Sequence, residues 1–479
     1  MRFFIAELAA QLNGRVLGGT ARDGAGGQAS VDADSVSLVD GLAIDSRLVI
    51  PGQLFAAVRA ERDGHEFVDA AFAAGAGAVL VDNADCLAAS GSGELALQGQ
   101  AIVVQDVPVA LMEIARIARS RLPDSVVGVT GSVGKTTTKD LLAEVLAQQF
   151  VTVASEKSFN NELGVPLTLA NAAEGTQAAV VEMGARGAGH ISLLCELARP
   201  TVGIVTTVER VHTQVMGSIE QIAQAKGELI EALPSTGLAV LNAEVPLVAA
   251  MADRTQANVL RFGQAGEVQA LEVQLDGELR PSFLLLSPWG NVAVRLGIRG
   301  VHNVSNALAA ATAALGLGLS LEQVAVGLES AVTSPWRMDL QTMPSGALLL
   351  NDSYNAGPAS MAAALRALSS LAGAEPAEPD GSGPLGSSGA GSGRRIAVLG
   401  LMAELGDSAP QEHQAVAVLA DQLQIQIIAV GTDMYGVPPV AGIAEAEAAL
   451  ASMSLTAADA VLVKGSRVAG LERLAQLLL

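Results

Sequence analysis

The segment Val126-Val127-Gly128-Val129-Thr130-Gly131-Ser132-Val133-Gly134-Lys135-Thr136-Thr137 limits the fold of this chain more than any other. An apolar run enters a glycine-bearing turn, and Leu141, Leu142, Val145 and Leu146 follow at helical spacing. A strand, a tight turn and a helix in that order form a cradle for phosphate. Glycines let backbone amides close on phosphate oxygens, and the helix N-terminus adds partial positive charge. Lys135 then reaches the β- and γ-phosphates, and the Thr136 hydroxyl can ligate Mg²⁺. The strict form of this motif has glycine five residues before Gly134, where this chain has Val129.

The rest of the chain supports an α/β fold in three parts. Residues 1–110 mix short apolar runs (Leu54–Val58, Ala78–Val81, Ala101–Val104) with Gly and Asp turns. Residues 111–334 alternate strands such as Val126–Val129, Ala178–Val181 and Val202–Val205 with helical patterns, which predicts a mainly parallel sheet. Residues 335–479 repeat the alternation at Ala347–Leu350, Ile396–Leu399, Ile427–Val430 and Ala460–Val463, with a helix near Gln411–Leu423. Ala372–Gly393 has Leu385 as its one large apolar residue and reads as a flexible loop.

Composition excludes several functions. A formal charge of −21 argues against a nucleic-acid partner. Mean hydropathy of +0.41 comes from dispersed Ala, Val and Leu. The longest apolar stretch, Ala307–Leu319, is shorter than a membrane helix needs, so no membrane insertion is expected. Met1–Ala6 reads as a first strand or helix rather than an export signal. Two cysteines, Cys86 and Cys195, suit a reduced, cytoplasmic protein.

Four further features bear on chemistry. Glu182 ends a strand, where α/β sheets bind ligands; it either holds Mg²⁺ or faces solvent. His212 follows the strand at Val202–Val205 and is either structural or functional. Lys226 falls on the apolar stripe of a helix over Ser218–Leu233. It snorkels, pairs with a buried acid, or stays neutral and takes up CO₂ as a carbamate, a metal-binding anion. Asn303 and Asn306 share one helix face and either bind an adenine edge or cap the helix.

In order along the chain, these blocks resemble the Mur ligase family, which adds amino acids to the peptidoglycan precursor. They are Thr130–Thr137, Ser158-Phe159-Asn160-Asn161-Glu162-Leu163-Gly164-Val165-Pro166, Glu182-Met183-Gly184, His212, Ala225-Lys226-Gly227-Glu228 and His302-Asn303-Val304-Ser305-Asn306-Ala307. Arg337, Asp352-Ser353-Tyr354-Asn355-Ala356 and Lys464-Gly465-Ser466-Arg467 follow, and Asp45-Ser46-Arg47 and Asp63-Gly64-His65 precede. The Asn-Asn-Glu block, Glu182-Met183-Gly184 and Pro358 with Ser360-Met361 are similar to the D-alanyl-D-alanine-adding branch.

The resemblance implies three domains: an N-terminal unit for a UDP-sugar peptide, a central phosphate-loop ATPase unit and a C-terminal Rossmann-like unit. It implies that Gly131, Ser132, Val133, Gly134, Lys135, Thr136 and Thr137 hold ATP phosphates, with Asn303, Arg337 and Asp352 on the nucleotide. Thr136 and Glu182 would serve one Mg²⁺, and His212 and carbamylated Lys226 a second. Lys135, His212 and Lys226 would be catalytic. Asp45, Ser46, Arg47, Asp63, His65, Asn160, Asn161, Tyr354 and Asn355 would contact substrate. The implied reaction joins D-alanyl-D-alanine to UDP-N-acetylmuramoyl-tripeptide through an acyl phosphate, in a cytoplasmic monomer. Read from the residues alone, another Mur-type ligase or a non-ligase phosphate-loop protein also fits.

The chain departs from the family pattern in places. Thr206-Thr207-Val208-Glu209-Arg210-Val211-His212 stands where the family has Thr-Asn-Ile-Gly-x-Ala-His. Trp336 replaces a glycine before Arg337, Leu401 an acid, and Gly357 an asparagine.

Overall fold

The computed structural model describes residues 1–18, 37–87, 99–209, 216–332, 334–371 and 393–479. Five sheets organise them. The strand Val126–Thr130 is wholly buried and lies inside a six-stranded parallel sheet. Its neighbours are Ala178–Glu182 on one side and Val202–Val205 on the other. Thr152–Ala154 flanks the first; Leu238–Asn242 and Asn258–Phe262 extend beyond the second. Chain order thus reverses around the phosphate-loop strand, and the carboxyl ends of three strands open on one crevice.

The helix Lys135–Ala147 buries Leu141, Leu142, Val145 and Leu146 against the same core as Asn303–Gly316. That alanine-rich helix contains most of the apolar stretch noted above, and its small side chains permit close packing in the interior. Among the described residues no helix is long and apolar enough to cross a membrane.

Near the N-terminus, Leu42–Ala43, Leu54–Ala56, Ala78–Val81 and Gln100–Val103 form a parallel set. Arg15–Leu17 closes it antiparallel. Arg2–Phe4 is a strand and Ile5–Gln11 a helix, as the opening residues suggested. Asn171 of the central part bridges to this sheet: its amide accepts from Leu42 N (2.7 Å) and donates to Leu42 O (2.8 Å), as a strand neighbour would.

In the C-terminal part, Leu348–Asn351, Ala460–Lys464, Arg395–Leu399 and Gln426–Ala429 run parallel, with Asp339–Thr342 antiparallel at the edge. The expected helix spans Ala409–Gln422. Most of the loop read as flexible, residues 372–392, lies outside the described residues.

One sheet was not anticipated. Gln269–Leu275, Pro281–Ser287 and Gly290–Arg295 form an antiparallel three-stranded sheet. Its signals were present, in the turns Asp276-Gly277 and Pro288-Trp289-Gly290 between short alternating runs. The reading of this region as βαβ units passed over them.

Candidate active site

The turn after Val126–Thr130 uses glycine twice for backbone reasons. Gly131 has φ +151° and Gly134 φ +87°. A Cβ on Gly134 would also meet the Asn306 side-chain oxygen. Lys135 opens the helix and folds back, its Nζ donating to Gly131 O (2.8 Å) and Ser132 O (3.3 Å). Burial lowers its pKa, opposed by the carboxylates of Glu182 and Glu209.

Two amides of the loop are already taken within the fold. Ser132 N donates to Thr207 O (2.8 Å) and Val133 N to Thr207 Oγ1 (3.0 Å). Thr206 Oγ1 donates to Val133 O (2.6 Å). The segment after Val202–Val205 therefore braces the loop and occupies two of its amides. The first intrahelical bond is Thr138 N to Gly134 O (2.8 Å), so the amides of Lys135, Thr136 and Thr137 form the open helix start.

Glu182 ends its strand in register with Val129 and is 1% exposed. Its backbone amide is held by Ser155 Oγ (3.1 Å), and Asn160 Nδ2 donates to Oε1 (2.9 Å). Oε2 is buried and has no hydrogen-bond partner among the described residues. A buried carboxylate oxygen with no donor is costly unless a cation or proton reaches it. The Thr136 hydroxyl lies 3.3 Å from Ser158 Oγ, and both line the cleft with Glu182. These oxygens fit the preference of Mg²⁺ for hard ligands. Ser158 was quoted in the sequence but given no role, because only the fold brings it to Thr136.

The cleft, about 580 Å³, lies between the central and C-terminal parts. Ser132, Val133, Gly134, Lys135, Thr136, Thr137, Asn160, Glu182, Asn303, Arg337, Asp352, Tyr354 and Asn355 all line it. Asn303 is fixed by donating to Arg299 O (2.6 Å) and accepting from Asn306 Nδ2 (2.8 Å). Arg337 stacks on the Tyr354 ring at 4.1 Å, and Tyr354 OH donates to Ser158 Oγ (2.5 Å) across the cleft. Asp352 accepts from Met338 N and pairs with buried Lys464 (2.5 Å), which also donates to Asn355 O (2.9 Å). Lys464, Ser466 and Glu209 are further lining residues that sequence reasoning left without a role.

Other expected residues sit elsewhere. Asn161 Oδ1 accepts from Leu163 N and Gly164 N, at the start of the helix Gly164–Ala170. Asp45 caps the turn at Ser46–Leu48 and binds Arg47 through two side-chain hydrogen bonds (2.9 and 2.6 Å). The Arg47 guanidinium lowers the Asp45 carboxyl to about 2. His65 is buried between Asp63 Oδ1 (2.6 Å) and Asp82 N, which donates to its Nε2 (3.2 Å). Its Nδ1 therefore carries the proton shared with Asp63. His212 lies outside the described residues.

Lys226 is 3% exposed in the helix Ile219–Glu231. Its Nζ donates to Gly131 O (2.9 Å), and among the described residues no carboxylate pairs with it. Burial, and then the charge of Lys135, hold its pKa well below the usual lysine value.

Fold and site together define a phosphate-loop nucleotide-binding protein whose cleft is completed by a second α/β unit. The family model "Mur ligase middle domain" matches residues 129–314. A UDP-N-acetylmuramoyl-tripeptide–D-alanyl-D-alanine ligase of Mycobacterium tuberculosis is 38% identical, covering 91% of each chain. The Escherichia coli protein of the same name is 32% identical, covering 92% of this chain and 94% of its own. Among solved structures, MurF from Acinetobacter baumannii aligns with a TM-score of 0.80 at 28% identity, covering 100% of this chain and 99% of its own. MurF ligase from Thermotoga maritima in complex with ADP aligns at 0.72 and 25% identity, covering 92% and 97%. The chain belongs to the Mur ligase family, in the branch of the UDP-N-acetylmuramoyl-tripeptide–D-alanyl-D-alanine ligases.

Proposed function

We infer that the chain joins D-alanyl-D-alanine to UDP-N-acetylmuramoyl-tripeptide, converting ATP to ADP and phosphate. The observation that carries the reading is the buried, unpartnered Glu182 Oε2 beside Lys135 and Thr136, in a cleft that the C-terminal part completes. The terminal carboxylate of the tripeptide attacks the γ-phosphorus, and ADP leaves. The acyl phosphate formed is then attacked at carbon by the dipeptide amine, which loses a proton, and the tetrahedral intermediate expels phosphate. Lys135 and the amides of Lys135, Thr136 and Thr137 neutralise charge on the transferring group. Asn303, Arg337 and Asp352 orient the nucleotide. Asn160, Asn161, Tyr354 and Asn355, with Asp45, Ser46, Arg47, Asp63 and His65 of the N-terminal sheet, serve the acyl substrate.

Thr136 and Glu182 would hold Mg²⁺, which supplies charge neutralisation at the phosphates. His212 and carbamylated Lys226 would hold a second. Support for the carbamate is chemical: burial and the nearby Lys135 charge favour the neutral amine, no acid pairs with it among the described residues, and its nitrogen can attack CO₂ with loss of one proton to water. We assign residues 1–110 to the UDP-substrate unit, 111–334 to the ATPase unit and 335–479 to the closing unit, in a cytoplasmic monomer.

The test is phosphate release with the tripeptide and D-alanyl-D-alanine supplied together and singly, with product mass. Release that needs both, and a pentapeptide product, is expected. ATP hydrolysis indifferent to both would place the chain among non-ligase phosphate-loop proteins instead.

A further inference from the structure

Lys139 has no part in the cleft described above, yet it is 3% exposed on the same helix as Lys135 and Thr136. A buried ammonium is costly unless its donors are met, and an apolar residue would fill the place at lower cost. Lysine has three N–H donors, and here each has an acceptor. Nζ pairs with Asp140 Oδ1 (2.6 Å) and donates to Ser155 O (2.7 Å) and Lys157 O (3.4 Å). Consecutive residues on a helix do not face each other, so the Lys139–Asp140 pair forms only because both side chains bend to the same spot.

Both arms of this pair lead to the active site. Ser155 and Lys157 belong to the segment after Thr152–Ala154 that also carries Ser158 and Asn160. Ser155 Oγ accepts from Glu182 N (3.1 Å), Asn160 Nδ2 donates to Glu182 Oε1 (2.9 Å), and Ser158 Oγ lies 3.3 Å from Thr136 Oγ1. The Lys139 ammonium thus fastens to the phosphate-loop helix the segment that orients Glu182. On the other arm, Asp140 Oδ2 accepts from Ser334 N (3.0 Å) and Ser334 Oγ (2.8 Å). Ser334 lies between the helix Leu321–Ser330 and the strand Asp339–Thr342, three residues before Arg337 of the cleft.

We propose that Lys139 is a positioning residue for ligation: with Asp140 it holds residues 155–160 and the Ser334 linker in one frame, which fixes the Glu182 carboxylate for the divalent cation and Arg337 for the nucleotide. The identity of cation and nucleotide rests on the ligase reading. Lys139 touches neither; it acts through the Ser155 and Lys157 carbonyls on one side and through Asp140 on the other.

The experiment titrates Mn²⁺ into the full-length protein saturated with ADP, following free Mn²⁺ by electron paramagnetic resonance, and measures kcat from phosphate release with both substrates. Wild type is compared with Lys139→Met, Ser334→Ala and the double variant, with thermal unfolding to check that each is folded. Lys139→Met is expected to weaken Mn²⁺ roughly 10-fold, as loss of support behind a metal-binding carboxylate does. Ser334→Ala, on the other arm, is expected to leave Mn²⁺ affinity within about 2-fold and to lower kcat roughly 5-fold. In kcat the double variant should lose less than the product of the single losses, because both act through Asp140. Should Lys139→Met not fold, Lys139→Gln, which keeps amide donors for the carbonyls, is expected to weaken Mn²⁺ in the same direction by less. A folded Lys139 variant whose Mn²⁺ isotherm overlays the wild type would overturn the proposal, and single losses in kcat that simply multiply would remove its linker arm. Mn²⁺ binding to the ADP complex does not depend on the ligase reading, which fails separately if wild-type phosphate release does not need both substrates.

Discussion

Lys226 Nζ donates a 2.9 Å hydrogen bond to the carbonyl of Gly131, across 95 residues of sequence. The bond ties the helix Ile219–Glu231 to the first glycine of the phosphate loop, and it is the one hydrogen bond found for this amine among the described residues. The lysine is thus placed for phosphate chemistry at a cost in desolvation, which leads to the first prediction.

Lys226→Met is expected to abolish ligation while stabilising the fold at neutral pH by about 1–2 kcal/mol, because an apolar side chain fits the buried site better. The folded lysine has a depressed pKa, so between that value and the usual 10.5 the unfolded chain binds more protons. Wild-type stability in CO₂-free buffer should therefore rise with pH across that window, and the variant should lack this rise. Thermal unfolding from pH 6 to 10 reads both. Restoring CO₂ should raise wild-type activity, and a structure at saturating CO₂ that shows an unmodified amine in an active enzyme refutes the carbamate.

Lys135→Ala removes the ammonium that folds back onto the Gly131 and Ser132 carbonyls of the loop. Turnover should fall by roughly 10³-fold or more with the thermal transition little changed, since the charge acts on the transferring phosphoryl group. Near-normal turnover would remove the phosphate loop from the mechanism.

Breaking the Asp352–Lys464 pair should loosen the C-terminal part. Lys464 is 2% exposed, and Lys464→Met leaves the partly buried Asp352 without its cation. The expected loss is about 3 kcal/mol. The double variant Lys464→Met/Asp352→Asn should recover part of it. Denaturant unfolding of the three proteins measures the coupling, and additive losses argue against it.

Trp336 has φ +64°, a left-handed backbone that explains why the family pattern has glycine there. Its ring lies 4.6 Å from the Arg467 guanidinium, a contact that offsets the strain. Trp336→Gly trades about 1 kcal/mol of strain for a contact of similar size, so little change in stability is expected. Trp336→Ala keeps the strain and loses the ring, and should cost about 1 kcal/mol. Equal effects of the two substitutions in thermal unfolding would dismiss the backbone explanation.

Much of this was legible in the sequence because the signals were local. The phosphate loop is a strand, two glycines and a helix start in consecutive residues, and backbone sterics and helix dipoles act over that distance. Lys226 stood out because a cation on an apolar stripe needs an explanation wherever the helix packs. The antiparallel sheet at Gln269–Arg295 carried local signals too, and was lost to the parallel pattern around it.

The sequence by itself determined the loop, the order of strands and helices around it, and the oddity of Lys226. Tertiary structure alone decided what those residues meet. It gave Ser132 and Val133 amides to Thr207, left Glu182 Oε2 without a partner among the described residues, seated Lys226 on the Gly131 carbonyl and brought Tyr354 to Ser158. The reason is physical. Propensity and periodicity are set by neighbours along the chain, whereas charge pairing and desolvation are set by whatever the packed fold brings within a few ångströms.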